Sequence, residues 1–293
     1  MDQAHAATPA YDRTVEDVGN IVEFGHVNVR VPDQALATLF YVSGLGLTRD
    51  PYLMTSTDNM WINVGCAQFH LPTGQPQVVR GVVGIVVPDL GALVQRLKRV
   101  AMKLKGTSFT YAERDGAVEV TCPWGNRMRL HAPAPQFGPI VLGMPYVELD
   151  APRGSAAPIA RFYKEILDSP ATLEEGGLRV GAGIYTALRY RETAAPMPPF
   201  DGHHVQITLA DFSGPHRRLL ERGLISEESD QHQYRFEALT DLDTGAEVMR
   251  VEHEVRSMRH PLFNRALVNR DATLTNRFYS PGHDEFTWTA APA

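Results

Sequence analysis

Residues 26–47 read HVNVRVPDQALATLFYVSGLGL, a pattern of strand, turn and helix. Apolar side chains occupy every second position at the start, which is the period of a half-buried β-strand. Pro32 and Asp33 end this alternation, and an aspartate at such a turn caps a helix by accepting a hydrogen bond from its first turn. Apolar residues three and four apart follow, and they predict a helix that packs through one face.

The same pattern occurs three more times. It is found in VVGIVVPDLGALVQRLKRV (82–100), YVELDAPRGSAAPIARFYKEIL (146–167) and HVQITLADFSGPHRRLLERGL (204–224). Short strand-like runs separated by turn residues follow each copy, such as NMWINVG and AQFHLPTG after the first. The repeat therefore predicts an α+β protein built from four βαβββ modules.

The repeat also divides the chain along its length. Residues 1–20 are predicted to form a polar N-terminal tail, residues 21–137 modules 1 and 2, and residues 138–256 modules 3 and 4. Residues 257–293 lack a regular period but contain several aromatic side chains, which are scarce in disordered tails. We therefore expect this C-terminal segment to pack on the body. Its basic residues fit either a solvated surface or a flap over a cavity.

The composition restricts the functional classes. The 293 residues include 28 Lys and Arg against 34 Asp and Glu, so the formal net charge of −6 gives no basic surface for nucleic acid or an anionic membrane. No apolar stretch approaches the roughly 18 residues of a membrane span, and the N-terminus lacks a signal-peptide pattern. With 2 cysteines a disulfide scaffold is excluded, and a cytoplasmic location is expected.

The repeat resembles the vicinal oxygen chelate superfamily, which includes glyoxalases, extradiol dioxygenases, and bleomycin- and fosfomycin-resistance proteins. The resemblance rests on GHVNVRVPD, GIVVPDL, CPWGNRMRL and ARFYKEIL, and it covers nearly all of residues 25–255. In that superfamily two βαβββ modules form a half-open, eight-stranded barrel, and a metal is held by the first and fourth strands of each module. The resemblance thus implies two half-open eight-stranded barrels in this chain.

The resemblance also indicates which modules keep metal ligands. The first-strand position holds, in chain order, His26, Val82, Tyr146 and His204. The fourth-strand position holds His70, Arg129, Leu188 or Arg189, and Glu252. Only modules 1 and 4 have ligand-type residues at both positions, so we expect module 1 to pair with module 4 and module 2 with module 3. The predicted ligands of one divalent transition metal are His26, His70, His204 and Glu252.

Two parts of this assignment are open in the sequence. Pairing of consecutive modules would leave each barrel with only two good ligands. The loop TDLDTGAEV before the last strand is longer than its counterpart CPWGNR, so Arg250 or Met249 is an alternative to Glu252 at the inward position.

A site of imidazoles and one carboxylate suits Fe, Mn, Co, Ni, Cu or Zn better than Mg or Ca. The resemblance implies that such an ion binds a substrate with neighbouring oxygens, and that Glu252 serves as general base. Asn28, Arg30 and Gln206 share strand faces with the histidines and are expected to bind substrate or to hydrogen-bond to one another. We expect a metal-dependent enzyme for a small oxygenated or aromatic metabolite, with dioxygenase chemistry favoured over glyoxalase-like lyase or isomerase chemistry.

The alternative is a metal-free protein that sequesters a small molecule in its barrel, as the resistance proteins do. The two functions differ in whether the chain binds metal stoichiometrically. In both, the expected partner is a small molecule rather than nucleic acid or a membrane. Because four modules complete two barrels within one chain, a monomer or a homodimer is expected.

Overall fold

A computed structural model describes residues 11–50, 53, 58–265 and 267, and it contains four βαβββ modules. Module 1 consists of β1 (Ile21–Asn28), α1 (Gln34–Ala37) with a π-helical continuation (Thr38–Gly44), β2 (Thr48–Arg49), β3 (Asn59–Val64) and β4 (Ala67–Pro72). Module 2 consists of β5 (Gly81–Val86), α2 (Leu90–Ala101), β6 (Thr110–Arg114), β7 (Ala117–Thr121) and β8 (Arg127–His131). Module 3 consists of β9 (Gly143–Pro152), α3 (Ala156–Leu167), β10 (Ala171–Glu174), β11 (Gly177–Gly181) and β12 (Ala187–Thr193). Module 4 consists of β13 (His204–Leu209), α4 (Ser213–Glu221), β14 (Ile225–Asp230), β15 (Gln233–Thr240) and β16 (Glu247–Ser257). Single 3₁₀ turns lie at Arg13–Glu16 and Pro135–Phe137.

The strands form two mixed sheets of eight strands each. The first has the order β14-β15-β16-β13-β1-β4-β3-β2 and combines modules 1 and 4. The second has the order β10-β11-β12-β9-β5-β8-β7-β6 and combines modules 2 and 3. Within the described residues the outermost strands of a sheet do not pair with each other, so the sheets are not closed. The predicted half-open architecture and the pairing of outer with outer and inner with inner modules are confirmed.

The first strands of the two modules meet at the centre of each sheet. β1 runs antiparallel to β13 and parallel to β4. β5 has the same relations to β9 and β8. Across the first joint, Asn28 lies opposite His204, and His26 lies opposite Gln206. Each module therefore presents equivalent strand positions to the other, around an approximate two-fold axis.

Three of the helices begin as the sequence predicts. Asp33, Asp89 and Asp211 each accept a hydrogen bond from the backbone N–H three residues further on, at 2.8, 2.9 and 3.1 Å. Helix α3 differs, because Ser155 at its start makes no capping bond. Instead the backbone N–H of Ala156 donates to the Glu192 carboxylate of β12 at 2.8 Å. A strand from the same module thus supplies the missing cap.

The helices of consecutive modules pack together, whereas each sheet combines modules that are paired differently. α2 contacts the π-helical segment of module 1, and α3 contacts α4. One hydrophobic cluster includes residues from both sheets and from the helices, so the modules share a core. None of the helices in the described ranges has the length and apolar character needed to cross a membrane.

The chain after β16 lies against the first sheet as far as it is described. Arg265 is buried and ion-paired with Asp50, and the carbonyl of Leu267 accepts a hydrogen bond from the Asn63 side chain. The rest of the predicted C-terminal tail, 268–293, and residues 1–10 of the predicted N-terminal tail lie outside the described residues.

Candidate metal centre

Three histidines from three strands converge on one face of the first sheet. Asn28 of β1 has His70 of β4 beside it on one side and His204 of β13 on the other. His26 lies two residues before Asn28 and therefore projects from the same face. One nitrogen from each of the three imidazoles lies within 4.8 Å of the other two. The strand register thus brings together three of the four predicted ligands.

Strand β3 holds the His70 ring in place. Trp61 stacks on it with ring centroids 3.8 Å apart, and the Nε2 atom of His70 lies 2.9 Å from Asn59 Oδ1. Trp61 also meets the His26 ring edge-on at 4.9 Å. A hydrogen bond at one imidazole nitrogen orients the ring and leaves the other nitrogen for a metal. In His70 that nitrogen is Nδ1.

Burial favours the metal-binding form of these side chains. It lowers the pKa of His26 well below the ordinary 6.5, and with the neighbouring His204 it lowers the pKa of His70 to about 3. Both imidazoles are therefore neutral near pH 7, as metal binding requires. The Nε2 atoms of His26 and His204 are buried and form no hydrogen bond within the described residues. Such orphaned nitrogens are uncommon in protein interiors and would be satisfied by an ion.

The fourth-strand position of module 4 belongs to Glu254. In module 1, β4 places His70 beside the second residue after the first-strand histidine. In module 4, β16 places Glu254 beside the corresponding residue, and Glu252 beside the histidine itself. By this register Glu254, rather than the predicted Glu252, occupies the strand position equivalent to that of His70. Alternate residues share a strand face, so the face pattern alone did not fix the position along the strand.

Glu254 is a buried carboxylate between the histidines and two arginines. Its oxygens lie 4.0 Å from His26 Nε2 and 3.4 Å from His204 Nε2. Arg235 and Arg256 approach them at 2.6 and 2.7 Å. Burial acts to raise the pKa of Glu254, but the adjacent histidines and Arg256 outweigh it and hold that pKa well below the usual range. The carboxylate is therefore ionised, which is its ligand form.

Glu252 approaches the cluster from a different side. Its carboxylate lies 3.5 Å from His204 Nδ1, whereas Glu254 lies near Nε2 of the same ring. Glu252 is also ion-paired with Arg235. A carboxylate at Nδ1 orients an imidazole and increases its basicity. The predicted roles of Glu252 as ligand and general base stay predictions.

Two of the three predicted substrate-binding residues lie at the site. Asn28 is buried beside the histidines, and its Oδ1 has no hydrogen-bond partner in the described part of the chain. Gln206 lines the adjoining cavity and lies over Gly25, where an added Cβ would be 1.7 Å from its Oε1 atom. Arg30 follows the end of β1, is exposed and packs against Gly74. Arg30 was predicted because alternate residues of a strand share a face, but β1 ends at Asn28 and the alternation does not continue to Arg30.

A cavity of about 430 Å³ adjoins the cluster. His26, Gln206 and Arg256 line it from β1, β13 and β16. The segment after β16 contributes more of its wall, including His260, Phe263 and Arg265. As far as it is described, this segment therefore covers the cavity. The volume suits a small metabolite.

Sequence reasoning missed charged side chains of the site, among them Glu254 and Arg235. One signal was present in the last strand. Glu252, Glu254 and Arg256 alternate with apolar or buried residues, and charges at every second position of a strand share one face. A strand with a charged inner face predicts a polar cavity rather than a simple core.

The second sheet lacks this donor set at the equivalent positions. They hold Val82, Tyr146, Arg129 and Arg189. In β12 the strand neighbour of Tyr146 is Ala187, and Arg189 lies two residues after it. Arg189, and not Leu188, therefore occupies the fourth-strand position of module 3. Among the described residues, the three histidines of the first sheet form the one group of at least three His, Cys, Asp or Glu side chains whose ligand atoms all lie within 4.8 Å of one another. Imidazole-rich sets suit transition metals, and this cluster can hold one.

The comparisons with known proteins agree with this architecture. No protein-family model and no curated protein matches the chain by sequence. A "putative dioxygenase" from Bacillus subtilis matches it by structure with a TM-score of 0.54 and 16% identity, over 82% of this chain and 86% of that one. Glyoxalase I from Zea mays matches with a TM-score of 0.55 and 14% identity, over 80% of this chain and 92% of that one. At such identities the likeness shows the fold alone, and it agrees with the two-sheet architecture that the resemblance to the vicinal oxygen chelate superfamily implies.

Proposed function

We propose that this protein is a metal-dependent enzyme with one metal centre in the barrel of modules 1 and 4. The observation that carries the proposal is the convergence of His26, His70 and His204 beside a cavity. Lone buried histidines are usually satisfied by hydrogen bonds, whereas two of these three keep an unbonded Nε2. The proposed ion is one divalent transition metal (Fe, Mn, Co, Ni, Cu or Zn), with Glu254 as its fourth donor.

Glu23 is the residue we propose as general base. It lines the cavity, accepts a hydrogen bond from Thr208 Oγ1 at 2.8 Å, and has a pKa raised by burial. A base must reach the substrate and is more effective when its pKa is closer to neutral. Glu252, the base suggested by the sequence, is not among the residues that line this cavity. We therefore assign Glu252 to the orientation of His204.

The proposed substrate is a small oxygenated metabolite, and dioxygenase chemistry is our first assignment ahead of lyase or isomerase chemistry. When bound, the metal would supply Lewis acidity and, if redox-active, reactivity toward O₂. The chain itself binds and orients the substrate: Asn28 and Gln206 offer hydrogen bonds, and Phe263 helps to exclude water. The structural matches to a "putative dioxygenase" and to glyoxalase I are compatible with both chemistries.

An O₂-electrode assay tests this assignment. Protein loaded in turn with each candidate ion is supplied with catechols and enols, and carbonyl isomerisation is followed in parallel. Metal-dependent O₂ uptake that disappears in His204→Ala supports a dioxygenase. Metal-dependent turnover without O₂ uptake supports a lyase or isomerase. An absence of both metal binding and turnover contradicts the proposed enzyme.

Sequestration of a small molecule without metal is the second candidate function. One observation favours it: Arg235 and Arg256 already neutralise Glu254 without any ion. For such a protein, ligand binding in the cavity would be as tight with a chelator as without it. For the proposed enzyme, the chelator would weaken binding of an oxygen-bearing substrate.

A further inference from the structure

The second sheet has its own cavity of about 580 Å³, which the proposed metal centre does not use. Val82 and Tyr146 occupy the positions that hold first-strand histidines in the first sheet. Arg129 and Arg189 occupy the positions of the two fourth-strand ligands. Where the first sheet gathers donors for a cation, the second therefore gathers cationic side chains.

The two arginines adjoin the ring of Tyr146. The guanidinium carbon of Arg189 lies 4.6 Å from the ring centre. Arg129 is the strand neighbour of Gly84, and Gly84 lies directly opposite Tyr146. The ring lies over this glycine, where an added Cβ would be 2.4 Å from it, and its hydroxyl is 2.9 Å from His131 Nε2. The arginines are thus placed around a fixed aromatic ring.

Neither arginine has a carboxylate partner in the described part of the chain, and the Nε atom of each is buried without a hydrogen bond. Two carboxylates line the cavity, but both have other partners. Glu119 pairs with Arg114 at 3.8 Å, and Glu148 pairs with Arg191 at 3.5 Å. Buried donors that lack an acceptor are destabilising. The absence of a carboxylate partner in the described ranges, together with the unbonded Nε atoms, therefore favours an anionic ligand.

We propose that this second cavity binds a small organic carboxylate through Arg129, which lines it, and Arg189, which lies against the ring of Tyr146 in its wall. A guanidinium group presents paired N–H donors that match the two oxygens of a carboxylate. Val82, Ala112 and the ring of Tyr146 share the sheet face of Arg129 and make part of the wall apolar, which suits a short hydrocarbon or ring attached to that carboxylate. The site shares no residue with the metal centre, so it stands independently of the proposed enzyme activity.

Calorimetric titration of the full-length protein with benzoate tests the proposal, with benzamide as its uncharged counterpart. Benzoate is expected to bind saturably, and benzamide about tenfold more weakly or worse because it loses the charge-assisted hydrogen bonds. Arg129→Gln and Arg189→Gln should each raise the Kd of benzoate about tenfold or more. Arg99→Gln removes the same charge from an exposed position on α2 and should leave binding unchanged, as should His26→Ala in the other cavity.

Arg129→Lys keeps the charge but loses the paired donors, so it should give an intermediate loss and serves as a second variant if a glutamine variant does not fold. The proposal is overturned if benzoate shows no saturable binding up to about 10 mM. Equal binding of benzamide, or benzoate binding that survives both glutamine variants, overturns it as well. Loss of binding in His26→Ala alone would place the ligand in the first cavity. Saturable binding of inorganic phosphate without binding of benzoate would contradict a carboxylate site.

Discussion

Glu254, Glu252 and Glu23 contact different groups at the candidate site. We infer a different role for each carboxylate from these contacts. Glu254 lies near the Nε2 atoms of His26 and His204, in the fourth-strand position. Glu252 lies near the opposite nitrogen of His204. Glu23 lines the cavity three residues before the first-strand histidine and is held by Thr208. The three carboxylates are therefore separable by mutation.

Glu254→Gln is expected to weaken metal binding about tenfold or more, because a neutral amide is a poorer donor than an ionised carboxylate. Glu23→Gln should leave metal binding intact and lower kcat, because it removes the proposed base. Metal affinity and kcat, measured on both variants, check this. Full metal affinity in Glu254→Gln, or normal kcat in Glu23→Gln, would contradict the assigned roles.

Two glycines allow a second comparison at this scale. A Cβ at Gly84 would meet the ring of Tyr146 at 2.4 Å, whereas a Cβ at Gly25 would meet the end of the flexible Gln206 side chain. Gly84→Ala is therefore expected to lower the free energy of unfolding by about 1–3 kcal/mol, and Gly25→Ala by less. Urea unfolding of both variants measures the difference. A larger loss in Gly25→Ala would show that the Tyr146 ring moves more easily than the Gln206 amide.

Elements with strong local signals were predictable from the sequence. The Pro-Asp turns predicted the caps at Asp33 and Asp89, because capping depends only on residues close in sequence. The start of α3 was not predictable in detail, since Glu192, which caps it, is distant in sequence. The same limit applied to β16: its face followed from alternation, but its register depends on hydrogen bonds to β13 and β15. Glu254 was missed for that reason.

The packing of α3 against β16 predicts a pH dependence of stability. Burial lowers the pKa of His253 to about 4 from 6.5, and its Nε2 lies 2.5 Å from the Tyr163 hydroxyl. Between these pH values the unfolded chain binds more protons than the folded protein, so the free energy of unfolding falls as the pH drops from 6.5 toward 4. His253→Phe removes one contribution and should show a smaller loss.

Urea unfolding of metal-free protein at pH 7 and pH 5 measures this loss. Other buried histidines with lowered pKa values, His26 and His70 among them, add to the slope in both proteins. The comparison with His253→Phe therefore isolates the contribution of His253. Equal losses in the two proteins would contradict it.

At the scale of the whole molecule, the module pairing explains why the two cavities differ. Modules 1 and 4 are far apart in sequence but share one sheet, so their first strands bring His26 and His204 together. This pairing was predictable because ligand-type residues recur at equivalent positions only in the outer modules. Arg129 and Arg189 of modules 2 and 3 could be identified in the sequence. Their lack of carboxylate partners could not, because it depends on the tertiary structure, in which Glu119 and Glu148 pair with other arginines.

Metal stoichiometry tests the central claim of one metal centre in the outer pair of modules most directly. Mass spectrometry of protein that has been loaded with each candidate ion and freed of excess should find one ion per chain. His26→Ala and His204→Ala should retain little metal. His216→Ala removes a histidine that is paired with Glu228 on α4 and β14, and it should retain the full amount. Wild-type protein without bound metal, or full metal content in His204→Ala, would contradict the claim.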